Sequence, residues 1–487
     1  MIRAHDVTFA YATRLPGESS RPVLTGCSLD LGTGEALAVM GPTGAGKSTL
    51  SYVLAGLAPR HTGGTLSGSV SIAGRDLRNG PPEIGSVGLL FQDAATQLFT
   101  TTVEDEVAWG LEAMGLASEE IGRRVEASLT AFELTTVRRR APWALSGGQQ
   151  KRLALAALWA MRPNALLLDE PLGGLDPEGR AEVLAAVSSL REAGTTLLIM
   201  TLHSETARQA GAFALLSDGQ LSPAMPWEAL VEQEAALIQT GLLFPSRLWP
   251  DLGPRGAVAG SIPAIEVKGV HFGYPGEAEV LHGIDLTIPQ GQFVALVGRN
   301  GAGKSTVVRH LNGLLRPRSG TVSILGQPLA GRAAGTIARQ VGFLFQRPEQ
   351  QLFSPTVRDE IAYGPTRLGL SNVQTGVDRV LERFGLQDVA DVPPALLGYG
   401  AQRTVTLAVL AALATPIIVL DEPTVGLDGR GLAQLLAWLT ELREQGVTIV
   451  LVTHDLDLAA RADRTITLDA GAIIADGPPA AVVGGDA

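Results

Sequence analysis

Two stretches of the sequence carry the same mixture of glycine, lysine and hydroxyl residues: GPTGAGKST at 41–49 and GRNGAGKST at 298–306. Each follows a short apolar run, ALAVM or FVALV, and precedes an amphipathic run, STLSYVLAGL or STVVRHLNGL. That order predicts a buried strand, a tight loop and a helix. Glycine has no Cβ, so Gly41, Gly44, Gly46, Gly298, Gly301 and Gly303 would let backbone N–H groups close around phosphate oxygens, helped by the positive end of the helix. Lys47 and Lys304 would neutralise β/γ-phosphate charge, Ser48 and Ser305 would place a hydroxyl on Mg²⁺, and Thr49 and Thr306 complete the two loops. Farther along, LLLDEP at 166–171 and IVLDEP at 418–423 are apolar strands that end in carboxylates. There Asp169 and Asp421 would bind the Mg²⁺ shell, and Glu170 and Glu422 would orient or polarise an attacking water. One glycine-rich loop can arise by chance in a chain with 58 glycines. Two, each followed by such a strand, point to nucleotide hydrolysis.

The elements that must position these groups are themselves duplicated. VGLLFQ at 87–92 returns as VGFLFQ at 341–346, and every motif keeps its order in both halves. The chain therefore reads as two copies of one plan. Within each copy, β-branched and aliphatic runs alternate with longer Ala/Leu-rich segments, which predicts a mainly parallel sheet flanked by helices. The stretch at 245–263 is rich in Pro and Gly and lacks a helical period, so it is expected to link a first domain at 1–244 to a second at 264–487. The longest uncharged stretch, 404–420, carries Pro416 and runs into Asp421, so it is expected to be a buried helix followed by a buried strand and not a membrane span.

After the Asp–Glu strands come GGLD, ending at Asp176, and VGLD, ending at Asp428. A further strand then ends near His203 (TLLIMTLH) or His454 (TIVLVTH). The two histidines are expected at matching positions, where an imidazole could contact a γ-phosphate and report its presence. LSGGQ at 145–149, followed by QKR, resembles the signature motif of ATP-binding cassette (ABC) ATPases, and both halves resemble that family over nearly their full length. The resemblance implies two P-loop ATPase domains, each an α/β unit with a mainly parallel sheet core, an antiparallel β subdomain and a helical subdomain. It implies ATP and Mg²⁺ as ligands, Gln92 and Gln346 as the glutamine-loop residues near the metal, and Tyr11 and Tyr274 stacking on adenine. It also implies a head-to-tail pairing in which one half's phosphate loop faces the other half's signature, supplied in the first half by Ser146, Gly147, Gly148 and Gln149.

Aligning the Asp–Glu strands places the second signature at 397–401, LGYGA, where Gly398 and Tyr399 replace the family's serine and first glycine. In the implied pairing this altered signature completes the site built on Lys47, Gln92, Glu170 and His203. That site is expected to be the weaker one, and the site built on Lys304, Gln346, Glu422 and His454 the more active.

The segments that follow the glutamines, QLFTTTVEDEVAWG at 97–110 and QLFSPTVRDEIAYG at 351–364, are similar to the ATPases of energy-coupling factor (ECF) transporters, importers of vitamins and transition-metal ions. That resemblance implies a transmembrane coupling protein and a small substrate-capture membrane protein as partners, and a place on the cytoplasmic face of the membrane. The alternatives are the tandem ATPase of another ABC importer, such as a sugar importer, or a soluble ABC ATPase acting on ribosomes or DNA. The 38 Lys and Arg against 49 Asp and Glu leave a net charge of −11, which disfavours a polyanion such as nucleic acid. One cysteine allows no internal disulfide and fits a reducing compartment, and the N-terminal MIRAHDVTFAY does not read as a secretory signal. A mean hydropathy of +0.20 leaves room for an apolar docking surface.

Overall fold

The computed structural model describes residues 2–12, 22–175, 177–252, 262–276 and 278–482. They form two units, Met1–Leu243 and Phe244–Ala487, which repeat one architecture. In the first, strands β1 (Ile2–Ala10), β2 (Leu24–Leu31), β4 (Thr65–Ile72) and β5 (Arg75–Asp76) make an antiparallel sheet in the order β2-β1-β4-β5. The alternating burial of β2 shows the period of two that a sheet with one wet face requires. The second sheet holds β3 (Ala36–Met40), β6 (Val87–Leu90), β7 (Ala165–Asp169), β8 (Thr196–Thr201) and β9 (Ala212–Ser217) in the order β9-β3-β8-β7-β6, all parallel. The short strands β10 (Gln220–Leu221) and β11 (Met225–Pro226) pair antiparallel with β9. Every residue of β7 and β8 is buried, which is why ALLLD and TLLIMT read as continuous apolar runs.

Helix α1 (Lys47–Leu54) leaves the glycine-rich loop. Helices α2 (Val103–Ala113), α3 (Ser118–Ala131) and α4 (Gly147–Ala160) form the helical part, sharing one core through Val107, Leu111, Leu129 and Leu153. Helices α5 (Pro177–Glu192) and α6 (Ser204–Ala210) flank the parallel sheet, and α7 (Ala229–Glu232) and α8 (Glu234–Gln239) close the unit.

The second unit repeats the plan. Strands β12 (Ile265–Phe272), β13 (Leu281–Ile288), β15 (Ser319–Ile324) and β16 (Gln327–Pro328) form the antiparallel sheet. Strands β14 (Phe293–Val297), β17 (Val341–Leu344), β18 (Ile417–Asp421), β19 (Thr448–Val452), β20 (Arg464–Asp469) and β21 (Ala472–Gly477) follow the order β17-β18-β19-β14-β20-β21, with only β21 antiparallel. Helices α9 (Lys304–Leu311), α10 (Ala334–Ala338), α11 (Val357–Arg367), α12 (Val373–Arg383), α13 (Tyr399–Leu413), α14 (Gly429–Glu444), α15 (Leu456–Ala459) and α16 (Pro479–Val482) complete it. The expected fold class is therefore observed in both halves, and 404–420 is helix α13 running into strand β18. Among the described residues no helix is long and apolar enough to cross a membrane.

The stretch expected as a linker begins, as far as Leu252, as a packed part of the second unit. Trp249 donates its indole N–H to the Phe244 carbonyl at 2.7 Å, Arg461 lies over the Trp249 ring and donates to Ser246, and Leu252 is buried in the second core. Residues 253–261 lie outside the described ones, as does Asp176.

Candidate active site

Both glycine-rich loops sit where the parallel sheet meets its first helix. Gly41 and Gly298 pack so closely on the neighbouring strand that an added Cβ would stand 2.3 Å from the Leu216 carbonyl oxygen and 2.1 Å from that of Leu468. Gly46 and Gly303, at the N-caps of α1 and α9, have φ of 103° and 98°, a left-handed region that favours glycine. Gly44 and Gly301 also have positive φ, with open space where a Cβ would point. The loop is thus shaped as a cradle with room on one side.

Each lysine bends back across its loop. Lys47 Nζ donates to Gly41 O at 2.8 Å and Pro42 O at 3.2 Å; Lys304 Nζ donates to Gly298 O at 2.6 Å and Arg299 O at 2.9 Å. Ser48 is hydrogen-bonded to Asp169, and Ser305 to Asp421, so the hydroxyl and the carboxylate expected around one metal ion are adjacent in both units. Tyr11 and Tyr274 bring their hydroxyls to Thr49 and Thr306, at 3.1 and 3.3 Å, which places each ring beside its loop.

The carboxylates at the ends of β7 and β18 are buried. Burial pushes Asp169 upward, against the Ser48 hydrogen bond, and pushes Asp421 up to about 6, with neighbouring Glu422 adding to the rise. Asp169 Oδ1, Glu170 Oε1 and Asp421 Oδ1 are buried without a hydrogen-bond partner. Buried oxygens in that state, next to a phosphate-sized cradle and a serine hydroxyl, fit a site for Mg²⁺ and nucleotide. Glu170 and Glu422 both adopt left-handed backbone, with φ of 47° and 50°, at the turn after the strand. A non-glycine residue in this region costs of order 1–2 kcal/mol, so its presence at both equivalent glutamates marks a constrained turn.

The two units differ in what faces these glutamates. In the second, His454 Nδ1 lies 3.0 Å from Glu422 Oε2. In the first, Glu170 Oε2 accepts the Leu202 N–H at 3.0 Å and Oε1 lies 3.5 Å from Lys47 Nζ. The expectation that His203 and His454 occupy matching positions is corrected by strand register. Asp169 pairs with Met200, and Asp421 with Val452. The next residues, Thr201 and Thr453, accept from His203 N and Asp455 N respectively, at 2.9 and 3.0 Å. Leu202 therefore stands at the position of His454, and His203 at that of Asp455, where each opens a helix. Burial, with the Arg180, Lys151 and Lys47 charges nearby, pushes the His203 imidazole down to about 3, so it is neutral.

The signature turn of the first unit is a capping box: Gln149 N donates to Ser146 Oγ at 3.2 Å and Ser146 N to Gln149 Oε1 at 3.1 Å. Ser146 and Gly147 are exposed, while Gly148 packs against Gly179. In the second unit Gly398 opens α13 without a side-chain cap, and the Tyr399 ring lies against Gly426.

Several positioning residues were not singled out by sequence reasoning. Lys151 Nζ donates to the carbonyls of Glu170 and Gly173, both at 2.9 Å, and so holds the strained turn. At the equivalent place Arg403 instead donates to Phe345 O at 2.7 Å and to Gln346 O, and Tyr399 OH reaches Gln346 O at 3.4 Å. Gln97 grips the strand before Gln92 by accepting from Phe91 N and donating to Leu89 O; Gln351 does the same with Phe345 and Phe343. Buried Glu106 accepts from the Phe99 and Thr100 amides, and buried Glu360 from those of Phe353 and Ser354. The signal was present in the equal nine-residue spacing of Gln97 to Glu106 and Gln351 to Glu360.

The sequence profile of the family described as ABC transporter matches residues 24–173 and 281–425, one stretch in each unit. The chain belongs to the ABC transporter family. It is 34% identical over 483 residues to an ABC transporter ATP-binding protein of Methanosarcina acetivorans, covering 98% of this chain and 90% of that one. A relative of the same description from Streptomyces avermitilis is 35% identical, covering 99% and 95%. Among solved structures, cbiO1 from Clostridium perfringens, part of the ABC transporter complex cbiONQ, is 30% identical with a TM-score of 0.41, covering 46% of this chain and 91% of that one. The ATP-binding cassette MJ0796 bound to ADP and Pi is 26% identical with a TM-score of 0.41, covering 44% and 98%. As an ABC ATPase the chain binds and hydrolyses ATP with Mg²⁺, and as the ATP-binding subunit of an ABC transporter it works with membrane subunits.

Proposed function

We propose that this chain is the motor of an ECF-type importer on the cytoplasmic face of the membrane, taking up a vitamin, a vitamin precursor or a transition-metal ion. The supporting observation is a surface repeated in both units. Phe99 and Trp109 are exposed and meet edge to face with ring centroids 5.1 Å apart; Phe353 and Tyr363, also exposed, do so at 4.9 Å. Exposed aromatic pairs are unfavourable in water and suit a partner's apolar helix. In each pair the phenylalanine stands on the loop gripped by Gln97 or Gln351 and by Glu106 or Glu360, and its partner on the helix that follows, so a change at Gln92 or Gln346 has a short path to it. Cytosolic helices of a transmembrane coupling protein are the occupant we assign to this surface.

In this reading Lys47 and Lys304 neutralise the β- and γ-phosphates, and Tyr11 and Tyr274 stack on adenine. Ser48, Ser305, Gln92, Gln346, Asp169 and Asp421 hold Mg²⁺, which supplies charge neutralisation of the leaving phosphate. Glu170 and Glu422 orient water, His454 senses the γ-phosphate, and Ser146, Gly147, Gly148 and Gln149 contact it. The test is purification of the tagged full chain in mild detergent, alone and as the Phe99→Ser/Phe353→Ser variant. A polytopic coupling protein together with a small substrate-capture protein should accompany the parent and be lost from the variant. Retention by the variant, or a permease without a capture subunit, refutes the reading.

A further inference from the structure

We infer that His310 is a positioning residue for the nucleotide base in the second unit, holding the Tyr274 ring in place through Phe272. The inference rests on the reading above in which Tyr274 stacks on adenine. Its own basis is a closed circuit of four side chains that joins the end of β12 to helix α9. The Tyr274 ring meets the Phe272 ring edge to face, with centroids 5.1 Å apart, and Phe272 meets the His310 ring in the same way at 4.8 Å. His310 Nδ1 lies 2.7 Å from the Thr306 carbonyl oxygen, and the Thr306 hydroxyl returns to Tyr274 OH at 3.3 Å.

A carbonyl oxygen can only accept, so Nδ1 carries the hydrogen of that bond. Burial pushes the His310 imidazole below its ordinary pKa, which keeps the ring neutral and leaves Nε2 as a bare acceptor. His310 is 2% exposed, and Nε2 finds no hydrogen-bond partner among the described residues. An apolar side chain would avoid the cost of that orphaned nitrogen. The first unit shows that one fits: Val53 is buried in α1 six residues after Lys47, as His310 is in α9 six residues after Lys304. There Phe9 and Tyr11 meet at 4.9 Å, and Tyr11 OH reaches the Thr49 hydroxyl at 3.1 Å, with no ring supplied by position 53. Packing alone therefore does not call for a histidine. What the imidazole adds is direction. Its hydrogen bond to Thr306 fixes the ring plane, and the fixed ring gives Phe272 an aromatic partner on the side away from Tyr274.

The test uses the full chain carrying Lys47→Ala, so that binding reports the second unit. Equilibrium dialysis gives the Kd for radiolabelled Mg-ADP, and displacement of the label gives the Ki for Mg-pyrophosphate, which offers phosphates and no base. His310→Val, which copies the first unit, should weaken ADP binding by about fivefold and change pyrophosphate binding by less than about twofold. A role confined to the phosphate loop or to stability would move both ligands or neither. Phe272→Leu breaks the circuit at its middle and should give the same split, so the outcome does not hang on one variant folding. Added to Tyr274→Ala, either change should have little further effect on ADP. Parallel loss of ADP and pyrophosphate in both variants, unchanged ADP binding in both, or full additivity with Tyr274→Ala overturns the inference. Unchanged ADP binding in Tyr274→Ala alone refutes adenine stacking itself, and the inference then falls for that separate reason.

Discussion

Replacing Asp421 by Asn should make the metal-free second unit more stable while disabling it. Asp421 is 1% exposed at the end of β18, and burial, with Glu422 beside it, raises its acidity constant from 3.8 to about 6. An acid raised in the folded state is most favourable when protonated, so its contribution is intact below the unfolded value near 4 and is lost as pH rises through about 6. At about 1.36 kcal/mol per pH unit, the ionised group costs the folded unit about 3 kcal/mol at pH 7.5. Asn keeps an acceptor for the Ser305 hydroxyl and carries no charge. In EDTA at pH 7.5 the variant's second-unit melting transition should rise by roughly 6–12 °C, at about 2–4 °C per kcal/mol for a unit of this size. By pH 5 the advantage should fall to about half, because the native carboxyl is then mostly protonated. Saturating Mg-ATP should stabilise the parent by about 3 kcal/mol at a hundredfold excess over Kd and the variant far less. Differential scanning calorimetry reads all three. A variant that melts at or below the parent in EDTA, or whose advantage does not shrink with acid, refutes the reasoning.

Two further outcomes are expected. Asp463→Asn should lower the second unit's stability by about 3–5 kcal/mol, seen as an earlier urea transition, because it leaves Arg443, 4% exposed and bonded to Asp463 at 2.8 Å, with an uncompensated charge. Arg403→Lys should raise the KM for ATP severalfold by freeing the backbone at Gln346; in a Gln346→Ala background the same change should add little, and full additivity in that double-mutant cycle would rule out action through Gln346.

Much of the fold was legible because its signals are local. A glycine loop between an apolar strand and an amphipathic helix names three elements at once, and duplication of the order names the two units. The site's loops, lysines, serines and Asp–Glu strand ends were legible for the same reason. What was hidden depends on counting across strands. TLLIMTLH and TIVLVTH look interchangeable, and only the pairing of Asp169 with Met200 and of Asp421 with Val452 shows that the histidines differ by one position. Lys151 and Arg403 are equivalent in sequence yet reach different loops, a consequence of side-chain length and of a tertiary path no window contains. Trp249 lies in a Pro-rich stretch that lacks periodicity, and its packing under Arg461 is a tertiary contact that no local signal announces.

The backbone at Glu170 and Glu422 is twisted into a shape in which glycine alone sits at ease. Swapping either for glycine would relax the turn and, in the proposed roles, leave a sturdier unit with an idle site, so selection for robustness and selection for work pull these two codons in opposite directions. A sturdy natural variant carrying glycine at one of them would therefore reveal which half of the machine its owner had stopped using.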